Sequence, residues 1–162
     1  MATSSSTTEG VVSVRPAESR DIETIVALGA RMHRESQYRE FEFSPSKVAG
    51  YIELVVRRPS LYCLFVAQRW DQIIGFIGGY WQSVLFGPMR VAFDSAFYVV
   101  PEHRGSTAAK RLVTALRDWA RDQGAAELCL GISSGINTER AERLYEHLGL
   151  TRAGALYKQP LA

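Results

Sequence analysis

The sequence predicts an α+β fold, a three-layer α/β/α sandwich around a central mixed β-sheet. Three observations lead there. Apolar runs and segments of helical period follow one another in the order β-α-α-β-β-β-α-β-α-β-β. Two apolar runs, at 61–68 and 73–82, flank the polar turn Trp70-Asp71-Gln72, which is hairpin spacing. Strand, helix and strand across residues 91–132 then require a crossover, and hence a parallel pair inside an otherwise antiparallel sheet.

The elements read in order as follows. Val11 to Arg15 is a short β-type run ended by Pro16. From Asp21 to about Met32, the apolar residues Ile22, Ile25, Val26 and Met32 keep a helical period. Ser44-Pro45 opens a second helix, with Ser44 as N-cap, Pro45 in the first helical position and a buried stripe of Val48, Tyr51, Ile52, Val55 and Val56. After the hairpin, Val91 to Val100 adds an antiparallel strand that Pro101 ends, because proline cannot donate to a ladder. Ser106 to Asp122 is helical again, with an inner stripe of Ala109, Leu112, Val113, Leu116, Trp119 and Ala120, and Gly124 stops it. Ala126 to Ile132 reads as a buried strand. Asn137 caps a last helix with inner stripe Ala141, Leu144, Tyr145 and Leu148, and Gly149 stops it. Two short strands, near Thr151 and at Ala155 to Lys158, are expected to finish the chain.

Composition bounds the function. The 162 residues suit one domain with a sizeable core, expected over 11–162, after a polar tail of ten residues too small in side chain to bury anything. That tail has neither a basic region nor an apolar core, so it is not read as a secretory signal. No apolar run spans a bilayer, and a net charge of +2 without a basic cluster interleaved with aromatics argues against nucleic acid. Cys63 and Cys129 lack metal-ligand spacing, and no metal site is expected. Both are read as buried, reduced and inert, which fits a cytoplasmic location.

The segment that carries chemistry is FYVVPEHRGSTAAKRLV, residues 97–113. A strand stops at a proline, a loop of small residues follows, and a helix begins at once. The first turn of a helix presents unbonded N–H groups and the positive end of its dipole. Small side chains at Gly105, Ser106, Ala108 and Ala109 let a pyrophosphate reach that backbone, and Arg104 can add a charge-assisted bond.

Residues 97–113 resemble the coenzyme A-binding motif of the GNAT superfamily of N-acetyltransferases: a strand end, here Phe97-Tyr98-Val99, then Pro101, then Arg104-Gly105-Ser106-Thr107-Ala108-Ala109. Thr107 stands where that family usually has glycine, and a β-branched residue is tolerated there only at negative φ. A second stretch, residues 134–158, resembles the family's other cofactor element through Asn137, Ala141, Tyr145 and Leu148-Gly149-Leu150. The resemblance spans residues 11–160.

It implies an acyl-CoA N-acyltransferase-like fold and direct transfer of the acetyl group of acetyl-CoA to an amine, proximity supplying much of the rate. By resemblance, a backbone N–H within Phe97–Val99 bonds the thioester carbonyl, the loop from Arg104 to Lys110 and Asn137 hold the cofactor, and Tyr145 lies near the sulfur. Tyr145 is the candidate general acid; the leaving thiol has a pKa of roughly 8.5 and needs little help. Asp94, a carboxylate inside the apolar run VAFDSAFYV, is the candidate base. His33, Glu35 and Tyr38 follow the first helix and read as loop surface. The rival readings are a non-catalytic acyl-CoA-binding sensor, and a partner-binding module whose exposed Tyr80, Trp81 and Phe86 mark an interface. In an enzyme those aromatics suit a homodimer contact or a substrate lid.

Overall fold

The computed structural model describes residues 10–161; the expected tail, Gly10 excepted, lies outside the described residues. Five strands, β1 (Val12–Pro16), β2 (Tyr62–Arg69), β3 (Gln72–Ser83), β4 (Arg90–Val99) and β5 (Ala125–Cys129), form one sheet in sequence order. Its first four strands are antiparallel, and β5 joins β4 in parallel. The helices are α1 (Ile22–Glu35), α2 (Pro45–Arg57), α3 (Ala108–Asp122) and α4 (Thr138–His147). The fold is the expected α+β arrangement around a mixed sheet.

Local chemistry accounts for the element ends. The Ser44 hydroxyl accepts the Lys47 N–H at 3.4 Å with Pro45 in the first helical position. Asp21, buried, takes a two-pronged ion pair from Arg15 (2.6 and 2.8 Å) and the Glu18 N–H (2.8 Å), tying β1 to the turn that starts α1. The core lies between α3 and the sheet: Leu112, Val113 and Leu116 are fully buried with Val66, Ile74 and Ile77. α3 approaches β3 closely at Gly79, where a β-carbon would stand 2.5 Å from Leu116 and 2.9 Å from the Phe93 carbonyl oxygen.

Several expectations are corrected. β5 is not a buried strand; it forms an edge, and Ala126 and Glu127 are exposed because nothing pairs with its outer side among the described residues. It also stops at Cys129, leaving Leu130 to Ile132 as loop, and Cys129 is half-buried while Cys63 is buried. The two C-terminal strands do not form. Residues 151–161 are exposed throughout, and a strand with neither a ladder partner nor an apolar surface to cover has nothing to hold it. Of the expected aromatic patch, only Phe86 stands free, at 95% exposure. Tyr80 stacks on Phe93 at 5.6 Å; Trp81 donates to the Ser60 carbonyl at 2.7 Å and carries the Arg90 guanidinium over its ring.

Gly79→Ala is expected to cost about 1–3 kcal/mol, because the added methyl overpacks the α3–sheet contact against a fixed carbonyl. Denaturant unfolding that leaves the midpoint unmoved would show that α3 shifts freely on the sheet.

Candidate acyl-transfer site

β4 and β5 pair only from Arg90↔Ala125 to Phe93↔Cys129. Beyond that point they part. On its other side β4 shifts register against β3 between Gly78 and Gly79, so that Gly79 faces Asp94, Gly78 faces Ala96, and Ser95 is the extra residue of a bulge. The parting opens a cleft of about 340 Å³, floored by Asp94 to Val99. One wall is the start of α3, the other is residues 131–137 and α4.

The loop before α3 is stapled from within. The Ser106 hydroxyl donates to the His103 carbonyl (2.8 Å) and accepts the Ala108 N–H (3.3 Å). Gly105 adopts φ +118°, a conformation few side chains tolerate. Thr107 has φ −74°, so its β-branch costs nothing and the expected condition on it is met. Ala109 and Lys110 line the cleft, and their N–H groups belong to the first turn of α3, which has no intrahelical acceptors.

Of the residues singled out in the sequence, the cleft gathers Asp94, Phe97, Tyr98, Val99, Arg104, Gly105, Ser106, Ala109, Lys110, Asn137 and Tyr145. Thr107 and Ala108 are not among its lining residues. Ala108 is fully buried, so its small side chain serves packing under the loop. Asn137 stands before α4 as expected, but it is left-handed (φ 45°) and its side chain makes no capping bond.

Asp94 bridges the parting strands by accepting the Gly131 N–H at 2.7 Å. Burial pushes its carboxyl up from the ordinary carboxylate range, and the Gly131 bond only partly offsets this. Tyr145, on α4, is 8% exposed. Burial raises its phenol well above 10, and the charge of Asp94 raises it further.

Glu35 overturns its reading as loop surface. Together with His33 it lies inside α1. Its carboxylate accepts the Tyr98 hydroxyl with one oxygen and Arg104 Nη2, at 2.6 Å, with the other. Arg104 Nε donates to the Val99 carbonyl at 2.8 Å. One carboxylate thus fixes the end of α1 to β4 and to the loop after it. Burial pushes Glu35 up, but the Tyr98 and Arg104 hydrogen bonds outweigh it and its pKa falls below 4.5. Tyr98 is pushed up to about 12 by burial and by Glu35. Just beyond α1, Gln37 bonds the Ser133 and Ser134 carbonyls, closing the α1–α2 loop onto the far wall.

Sequence reasoning also missed Arg140. It lines the cleft from α4, and a β-carbon on Gly105 would stand 3.3 Å from its Nη2. A signal was present: Arg140 lies three residues after Asn137 and four before Leu144, on one helix face. Among the described residues, no group of three or more His, Cys, Asp or Glu side chains could hold a metal ion. No helix among them is long and apolar enough to cross a membrane.

The sheet's parallel pair splits above the start of a helix, and the comparisons say which class of protein this arrangement belongs to. The sequence profile of the Acetyltransferase (GNAT) family matches residues 28–150. The chain belongs to that family and is an acyltransferase that uses acetyl-CoA. It is 27% identical over 140 residues to the uncharacterized N-acetyltransferase YhfO of Bacillus subtilis (strain 168), covering 85% of this chain and 89% of that one. Among solved structures it is similar to a predicted acetyltransferase of Clostridium acetobutylicum solved with acetyl-CoA (TM-score 0.75, 17% identity, 93% of this chain and 97% of that one). It is similar also to AAC(6')-Iy in complex with the bisubstrate analog CoA-S-monomethyl-acetylneamine (TM-score 0.72, 19% identity, 93% and 99%).

The Glu35 pairing makes a pH prediction. Its folded pKa is depressed, so its stabilisation is present above the unfolded value near 4.5 and is lost as pH falls through the folded value. The stability gap between wild type and Glu35→Gln should be constant at neutral pH and shrink below about pH 4.5. Thermal melts from pH 3 to 8 measure it, and a gap independent of pH would show that the ion pair adds nothing.

Proposed function

We propose that this acetyltransferase moves the acetyl group of acetyl-CoA directly to a primary amine of its acceptor within a ternary complex, with Asp94 as base and Tyr145 as acid. The observation that carries this reading is the pairing of those two side chains in one cleft, beside the free edge of β4. The cofactor's pantetheine arm would lie along that edge as an added strand, its phosphates toward the Ala109 and Lys110 N–H groups. The bisubstrate complex of AAC(6')-Iy supports a geometry in which both substrates are held at once.

The step balances without a covalent enzyme intermediate. The amine nitrogen attacks the thioester carbon, the N–C bond forms and the C–S bond breaks. The amine's proton passes to Asp94, directly or through a water, and the departing thiolate takes one from Tyr145. A backbone N–H in Phe97–Val99 stabilises the carbonyl oxygen as negative charge develops on it.

The test is release of CoA from acetyl-CoA with a panel of amines. Tyr145→Phe should lower kcat about 10- to 100-fold while CoA affinity stays, because the ring still packs among Ala141, Leu144 and Leu148. Unchanged turnover with lowered stability would make the hydroxyl a core group and favour a non-catalytic binder.

Asp94→Asn should lower the rate at neutral pH more than at high pH, where the amine is already deprotonated. In wild type the acid limb of the pH–rate profile should lie above the ordinary carboxylate range. The raised folded pKa also fixes a sign for stability: above it the ionised carboxylate destabilises the fold. Asp94→Asn keeps an acceptor for the Gly131 N–H and removes the charge, so at neutral pH the variant should be at least as stable as wild type. A less stable variant with an unaltered rate profile would make Asp94 a structural tie between β4 and the loop after β5.

A further inference from the structure

We propose that Arg140, reaching across from α4, is the side chain that neutralises the cofactor's pyrophosphate, and that Arg104 is instead a positioning residue. This rests on the cleft being the acetyl-CoA site. The motif resemblance points to Arg104 because it stands at the head of the loop, but two of its three nitrogens are already engaged within the fold and its charge has a partner. Nε is bonded to the Val99 carbonyl at 2.8 Å and Nη2 to Glu35 at 2.6 Å, with the guanidinium 5.4 Å from the centre of the Tyr98 ring. Its charge is neutralised by a carboxylate whose other oxygen is held by the Tyr98 hydroxyl. A phosphate would have to displace that partner or be repelled by it.

Arg140 has no such commitment. Among the described residues no carboxylate lies within 4.0 Å of it, whereas its neighbour Arg143 pairs with Glu139 at 3.8 Å. Its Nη2 stands 3.3 Å from the position a β-carbon on Gly105 would take, and it lines the same cleft as Gly105, Ala109 and Lys110. Gly105 therefore does two things: it takes the φ of +118°, and, having no side chain, it lets the Arg140 guanidinium lie close against the loop at the cleft. An anion there would meet backbone dipoles from one wall and a full positive charge from the other, with Lys110 alongside.

Calorimetry with CoA and with pantetheine, which lacks the phosphates, separates the roles. Arg140→Ala should weaken CoA about 10- to 100-fold and pantetheine less than twofold, flatten the salt dependence of CoA binding, and leave the apo melting temperature unmoved because the side chain is exposed. Arg140→Lys should recover part of the loss. Arg104→Met should lower the apo melting temperature and weaken CoA and pantetheine alike, since it misplaces β4 and its loop together. CoA affinity unchanged in Arg140→Ala overturns the proposal. So does a loss confined to CoA, at unchanged stability, in Arg104→Met. Wild type that binds neither ligand would instead remove the acetyl-CoA reading of the cleft.

Discussion

Past Phe93 and Cys129, one edge of β4 carries backbone N–H and C=O groups that no strand of this sheet pairs. Such groups are costly to bury unmatched, at about 1–3 kcal/mol each, so an edge inside a fold must stay wet or meet a ligand that brings its own amides. The split is set by local features on both sides of β4. Ser95 is an extra residue against β3, and Gly78 and Gly79 opposite it leave room; a β-carbon on Gly78 would stand 2.7 Å from the Ser95 hydroxyl. On the other side, Asp94 takes the Gly131 N–H, so a carboxylate holds the strands at a fixed separation where a ladder would have closed them.

A cleft made by separating two strands needs something to keep its rim in place, and Glu35 supplies it. The residue sits on the last turn of α1, yet its partners lie on β4 and in the loop before α3. Arg31, one turn earlier, adds an ion pair to Glu102 at 2.8 Å. The exposed Arg31 pair contributes little by itself. The half-buried Glu35 pair is shared among three groups, so loosening any one of them loosens the others. Because the α1–α2 loop next to it also bonds Ser133 and Ser134, both walls of the cleft are indexed to the end of one helix.

The fold was legible where sequence signals are local and redundant. Ser44-Pro45, the Trp70-Asp71 turn, Pro101 and Gly149 each mark an end by their own backbone chemistry, and the ends fall there. The cleft was legible through the small residues after Arg104 and the Asn137-to-Leu148 spacing. What escaped depends on distance in sequence. Nothing near Glu35 says that its carboxylate will meet Tyr98 and Arg104, which are 63 and 69 residues away. The apolar run after Ala125 resembles a buried strand because periodicity reports apolarity, not whether a neighbour exists; here the sheet ends. The same reason undoes the two C-terminal strands, whose pattern was real and whose partner was lacking.

In the proposed reaction, Asp94 and Tyr145 depend on each other through charge. Burial alone makes both reluctant to ionise, which improves the carboxylate as a base and keeps the phenol protonated. While Asp94 is ionised, its field raises Tyr145 still further, so the acid holds its proton before attack. Once Asp94 has taken the amine's proton, that contribution falls away and burial alone holds the Tyr145 proton. Electrostatics within one cleft thus couples the two proton transfers in the proposed reaction, the smaller contribution coming from Asp94 and the larger from burial. A carboxamide at position 94 would remove the base and this charge contribution together, leaving burial to keep the Tyr145 phenol protonated.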